Sequence, residues 1–140
     1  METENKVSSN LPVKRDLPWL QLILSLAFIL AGVLHFVYPE RYMQIMPSFL
    51  PAHRALVLIS GAFEILGGVG LLVPLSRRFS GYGLIALLIA VFPANINMAL
   101  QYYHTRGFTN ATVLWILRLP LQFVLIDLVR RCSLRSPVAR

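Results

Sequence analysis

A single carboxylate, Glu64, stands near the middle of an otherwise uncharged run, ALVLISGAFEILGGVGLLVP, from Ala55 to Pro74. As a helix rising about 1.5 Å per residue, this run matches the roughly 30 Å hydrocarbon core of a bilayer. A carboxylate at that depth costs roughly 2.5–3.5 kcal/mol on insertion scales and needs a partner, a proton or water. The segment therefore predicts a membrane bundle assembled around a polar cluster.

Composition agrees. Of 140 residues, 56% are hydrophobic and only 14% charged, where soluble domains carry about 25% charged residues. Mean hydropathy is +0.65. The length suits one domain. The net charge of +7 does not mark a nucleic-acid binder, because the basic residues sit at the ends of apolar runs, where they set topology. Cys132 is the one cysteine, which excludes an internal disulfide and a CxxC pair.

The fold class expected is all-α, an integral membrane four-helix bundle, with spans at about 17–37, 55–75, 81–103 and 112–129. Residues 1–16 form a polar, flexible N-terminal segment, residues 17–131 the transmembrane domain and residues 132–140 a basic tail. Trp19 suits an interfacial anchor, and Ser25, Phe28, Gly32 and His35 share one stripe along which another helix can approach. Between the first two spans, Pro39 opens a short amphipathic stretch carrying Tyr42, Ile45, Met46 and Phe49, expected to lie in the interface. Pro93 should kink the third span, Gly107 should stop it, and Thr109 or Asn110 should cap the fourth.

Lysine and arginine placement sets the orientation. Nine of them (Lys6, Lys14, Arg15, Arg77, Arg78, Arg130, Arg131, Arg135, Arg140) fall on the side of the termini, and Arg41, Arg54 and Arg106 on the other. Both termini are therefore expected in the cytoplasm, with the bacterial cytoplasmic membrane the expected location. Measured inward from the outer end of each span, His35 lies about 3–4 Å deep, Glu64 about 13 Å, Asn97 about 9 Å and Arg118 about 9–10 Å. This shared depth predicts an ion pair between Glu64 and Arg118, with His35, Asn95, Asn97 and Gln122 filling the remaining hydrogen-bond positions. Asp127 lies at i+3 and i+4 from Arg130 and Arg131 and forms a local pair. His35, His53 and His104 lack ligand-like spacing, so no metal is expected. No nucleotide loop, Ser/His/Asp set or carboxylate dyad occurs, which points away from independent catalysis.

The segments AGVLHFVYPERYMQIMPSFLP, SGAFEILGGVGLL, VFPANINMAL and RLPLQ, spread in order between Ala31 and Gln122, resemble the DoxX-like small membrane proteins. The resemblance implies a four-helix membrane protein. Founding members are linked to quinone-coupled oxidation of sulfur compounds, and other relatives to redox complexes or receptor-assembly chaperoning. By motif position it carries over His35, Glu64, Asn95, Asn97 and Arg118. Relatives acting on thiols use cysteine pairs, which this chain lacks. Three functions follow as expectations. The first is an accessory subunit of a membrane redox system, with an outward-facing polar pocket for a quinone or similar small apolar ligand and no covalently bound cofactor. The second is a non-catalytic assembly partner of another membrane protein, docking through the glycine-rich faces of spans one and two. The third is a small transporter subunit, which without an inverted repeat requires a homo-oligomer. Partners in each case are the lipid bilayer and other membrane proteins, with no nucleic acid.

Overall fold

A computed structural model describes residues 18–134. The expected flexible segment 1–16 and the end of the basic tail, with Lys6, Lys14, Arg15, Arg135 and Arg140, lie outside the described residues. The helices in chain order are α1 (Pro18–Val37), the short α2 (Pro39–Met43), α3 (His53–Leu72), α4 (Arg77–Arg106) and α5 (Asn110–Ser133). All but α2, four in number, are long and apolar enough to cross a membrane, so the protein is a multi-pass integral membrane protein.

Local chemistry sets the boundaries. Pro18 opens α1 and Pro39 opens α2, where a missing N–H is harmless. Pro74 forces the preceding Val73 into an extended conformation (φ −89°, ψ 118°), which ends α3 at Leu72, sooner than expected. The last carbonyls of α3 are then taken up from outside: Ser76 Oγ donates to Gly70 O at 3.0 Å and Arg77 Nε to Leu71 O at 3.3 Å. Arg77 and Arg78 consequently open α4 instead of closing the second span. The 30-residue α4 is the longest helix. It stops at Gly107, whose φ of +62° only glycine adopts freely, and Thr109 Oγ1 caps α5 by accepting from Thr112 N at 3.3 Å. The stretch after Pro39 keeps helical form only to Met43, because Pro47 follows closely, and Phe49 is exposed.

Consecutive long helices are antiparallel neighbours. On α1 and α3, Gly32 faces Gly61 and Ser25 faces Gly68; on α3 and α4, Gly67 faces Leu84; on α4 and α5, Gly81 faces Ser133. The last contact keeps α5 helical to Ser133, so Cys132 belongs to the helix rather than to a tail. The chain thus runs up and down four times. One end carries Arg77, Arg78, Arg130 and Arg131, and the other carries Arg41, Arg54 and Arg106. The dry core of Phe28, Leu71, Leu84, Leu88 and Val129 lies toward the first of these ends. His35, Asn97 and Thr112 lie toward the second.

The stripe on α1 buries Leu24, Ser25, Phe28 and Gly32. A Cβ on Gly32 would stand 2.5 Å from Gly61 O and 2.7 Å from Ile65 Cγ1, so α1 and α3 touch nearly backbone to backbone. Gly32→Val should therefore cost about 1–3 kcal/mol through overpacking against an immovable carbonyl. Gly83, with nothing within 4 Å of its Cβ position, is the control: Gly83→Ala should raise stability by about 0.5–1 kcal/mol. Thermal unfolding of both variants in detergent checks the pair.

Candidate functional site

The glycine contact determines what lies one turn away. Gly32 and His35 are three residues apart on α1, as are Gly61 and Glu64 on α3, so both pairs present the same faces. A Cβ on Gly61 would stand 2.7 Å from His35 Cβ. Because the backbones meet at the glycines, the next turn brings His35 Nδ1 to 3.4 Å from Glu64 Oε2, with side chains only 12% and 14% exposed. His35 Nδ1 also lies 2.8 Å from Ala31 O. A carbonyl only accepts, so in this hydrogen bond Nδ1–H donates to Ala31 O. Glu64 Oε2 is left as a buried oxygen without a hydrogen bond.

The expected ion pair between Glu64 and Arg118 is corrected by this arrangement. Among the described residues, the only contact within 4 Å that pairs Glu64 with a basic group is the one to His35. The reason lies in the helix order. α3 packs on α1 and α4, and α5 packs chiefly on α4, so spans two and four stand diagonally across the bundle. Equal depth does not make them neighbours. Arg118 instead places its Cζ 5.7 Å from the centroid of the Trp115 ring on its own helix.

Arg118, but not Glu64, lines a cavity of about 590 Å³. Leu34 of α1, Tyr38, and Arg41 and Tyr42 of α2 form one side, continued by Gln44 and Ile45. Met98, Gln101 and Tyr102 of α4 face them with Trp115 and Arg118 of α5. The His35 ring stacks on Tyr42 with centroids 3.8 Å apart and planes 23° apart. Glu64 therefore packs on His35 and His35 on Tyr42, and Tyr42 shares the cavity wall with Arg118.

The amides hold the frame of this site. Asn97 Nδ2 donates to Ile45 O at 3.0 Å, tying the cavity rim to α4. His53 Nε2 approaches Pro47 O at 3.0 Å, securing the same connection from α3. Asn95 Nδ2 donates to Gln122 Oε1 at 2.7 Å, and Gln122 Nε2 donates to Leu88 O, in the turn before Pro93. Pro93 cannot donate within α4, and the half-buried amide pair braces the weakened helix against α5. Asn95, Asn97 and Gln122 are thus structural here, and none of them lines the cavity. Asp127 pairs with Arg130 at 2.7 Å and with Arg131, away from the site. Among the described residues, no group of three His, Cys, Asp or Glu side chains is placed to hold a metal ion.

Sequence reasoning missed most of the cavity wall. The signal was present as short stripes at i, i+3 and i+4: Tyr38 with Arg41 and Tyr42, Met98 with Gln101 and Tyr102, Trp115 with Arg118. What no stripe reveals is that these helices look into one space.

Residues 24–133 match a family described as a domain of unknown function, DUF8561. The chain belongs to the DUF8561 family. No curated protein and no solved structure matches it. The DUF8561 match encloses His35, Glu64 and the whole cavity wall, and it begins and ends on helix positions inside the bundle.

Tyr42 lies outside the spanning helices, and burial pushes its phenol above the usual value, the Glu64 carboxylate adding to the rise and Arg118 opposing it. At neutral pH Tyr42 is therefore a neutral O–H donor on the cavity wall. The folded phenol is the weaker acid, so its contribution is intact below the unfolded pKa of about 10 and is lost as pH rises through the folded value. The thermal midpoint should fall on going from pH 9 to 11 (roughly the tyrosine range), with a shallower fall in Tyr42→Phe. A pH series of melting curves for the two proteins checks this.

Proposed function

We propose that this DUF8561 chain is a DoxX-like accessory subunit of a membrane redox system, and that its cavity holds a quinone or similar small apolar ligand for a partner subunit. The cavity itself supports the reading. Its volume of about 590 Å³ falls within the roughly 300–1,000 Å³ common for small-molecule sites. Its wall combines flat aromatic rings (Tyr38, Tyr42, Tyr102, Trp115) with donors suited to carbonyl oxygens, namely the Arg118 guanidinium, the Gln101 amide and the Tyr42 phenol. Behind Tyr42, His35 and Glu64 form a pair able to take up or release a proton as the bound head changes its oxygen chemistry. The chain binds and orients; electron transfer belongs to the partner.

In this reading the arginine-rich end of α4 and α5 faces the cytoplasm, as do both termini, by the positive-inside bias. The cavity then opens toward the outer face of the bacterial cytoplasmic membrane, with α2 in the interface as its roof. Docking of another protein through the glycine faces of spans one and two fits less well. Those faces close on each other at Gly32, Gly61 and Gly68.

The test uses Trp115 as reporter. Trp19 is the other of the chain's 2 tryptophans, so Trp19→Phe leaves Trp115 alone. Decylubiquinone titrated into this variant in detergent should quench its fluorescence saturably, and Arg118→Gln should weaken binding by about tenfold, the range for a lost hydrogen bond to a charged group. Quenching that rises linearly without saturation would refute the proposal.

A further inference from the structure

The charge around the cavity is one-sided. Arg41 and Arg118 both line it, and no aspartate or glutamate does. The described residues contain three acids, Glu40, Glu64 and Asp127. Asp127 is taken by Arg130 and Arg131 near the other end of α5. Glu64 is held behind the His35 ring on α3. Glu40 sits exposed on α2 outside the cavity wall.

Arg118 lies eight residues along α5 from Asn110, about 12 Å below the start of the helix, and is nonetheless exposed. Among the described residues, no carboxylate comes within 4 Å of it; its guanidinium lies over the face of Trp115, and its charge reaches Tyr42. A guanidinium does not lose its proton in proteins, so at this depth Arg118 remains a full charge. Its rigid fork of donors matches a carboxylate or phosphate group better than a neutral carbonyl. Arg41, with Cζ 5.3 Å from the Tyr38 ring, adds a second cation at the cavity rim. Leu34, Ile45 and Met98 supply apolar wall on the same space.

We propose that the cavity selects an amphiphile with an oxyanion head, a carboxylate or phosphate group on an apolar body, gripped by Arg118 from within and Arg41 from the rim. This rests on the reading of the cavity as a ligand site and gives that ligand a charged head in place of a neutral quinone. Leu34, Ile45 and Met98 hold the first part of the apolar body, and Trp115 stays against the guanidinium that meets the head.

The experiment compares heads on one tail in the full chain carrying Trp19→Phe, in non-ionic detergent at a pH where the acid is ionised. Dodecanoate should quench Trp115 saturably and bind at least about tenfold more tightly than methyl dodecanoate, as expected for charge-assisted bonds to a guanidinium. Arg118→Gln should bring that ratio close to one, Arg118→Lys should keep only part of it because the charge remains without the fork, and Arg41→Gln on exposed α2 should lower it severalfold. Equal binding of acid and ester, or a ratio untouched by both glutamine variants, overturns the proposal. Displacement of dodecanoate by an equal concentration of inorganic phosphate also overturns it, since the site would then hold a free anion and not an amphiphile. Decylubiquinone in the same titration separates two failures. Saturable binding of the quinone without preference for the acid defeats only the charge assignment, whereas no saturation by any compound removes the ligand site as well.

Discussion

The bundle is organised by the cost of holding Glu64 inside a membrane-spanning helix. Its carboxylate is mostly buried, and one oxygen has no hydrogen bond. Such a group is tolerated only where something nearby offsets its desolvation. His35 is the side chain packed closest against it, and it reaches Glu64 because Gly32 and Gly61, one turn earlier on each helix, let the α1 and α3 backbones nearly touch. A side chain at either glycine would push the helices apart and separate the pair. The glycines, the histidine and the carboxylate are therefore one device, spread over two helices at matching three-residue intervals.

The rest of the structure divides the bundle into two unlike halves. Toward the end that carries Arg77 and Arg131, leucine, valine and phenylalanine make a dry core. Toward the other end, α4 and α5 carry internal prolines, Pro93 and Pro120, and their contact is secured by the amides of Asn95 and Gln122. There the helices leave a cavity instead of closing, and its rim is tied by Asn97 and His53 to the connection that follows α2. The polar groups fix the wall of that opening, and the aromatic rings of Tyr42 and Trp115 line it.

Much of this was legible in the residues themselves. Apolar run lengths located all four spans, and Gly107 and Thr109 marked the join between α4 and α5 because their backbone and capping chemistry is local. The packing stripe of Ser25, Phe28 and Gly32 was legible for the same reason, since helical periodicity alone puts them on one face. The pairing of Glu64 was not. Depth along a helix axis can be counted from sequence, and that count put Glu64 and Arg118 within about one side chain's reach of each other. Which helices are adjacent is decided by side-chain fit across the bundle, and there the small residues of α1 won the place beside Glu64. Arg118 was left facing open space, and Asn95, Asn97 and Gln122 were drawn into bracing the helices instead of lining the site.

The contact between His35 and Glu64 is the claim on which the others stand, and a double-mutant cycle measures it directly. His35→Ala, Glu64→Gln and the double variant would be unfolded under identical detergent conditions. Residues in contact are expected to couple by about 0.5–3 kcal/mol, so the double variant should lose less stability than the two single losses added together. Strict additivity, within about 0.3–0.5 kcal/mol, would contradict the account, because it would mean that the carboxylate and the imidazole do not feel one another across the glycine contact.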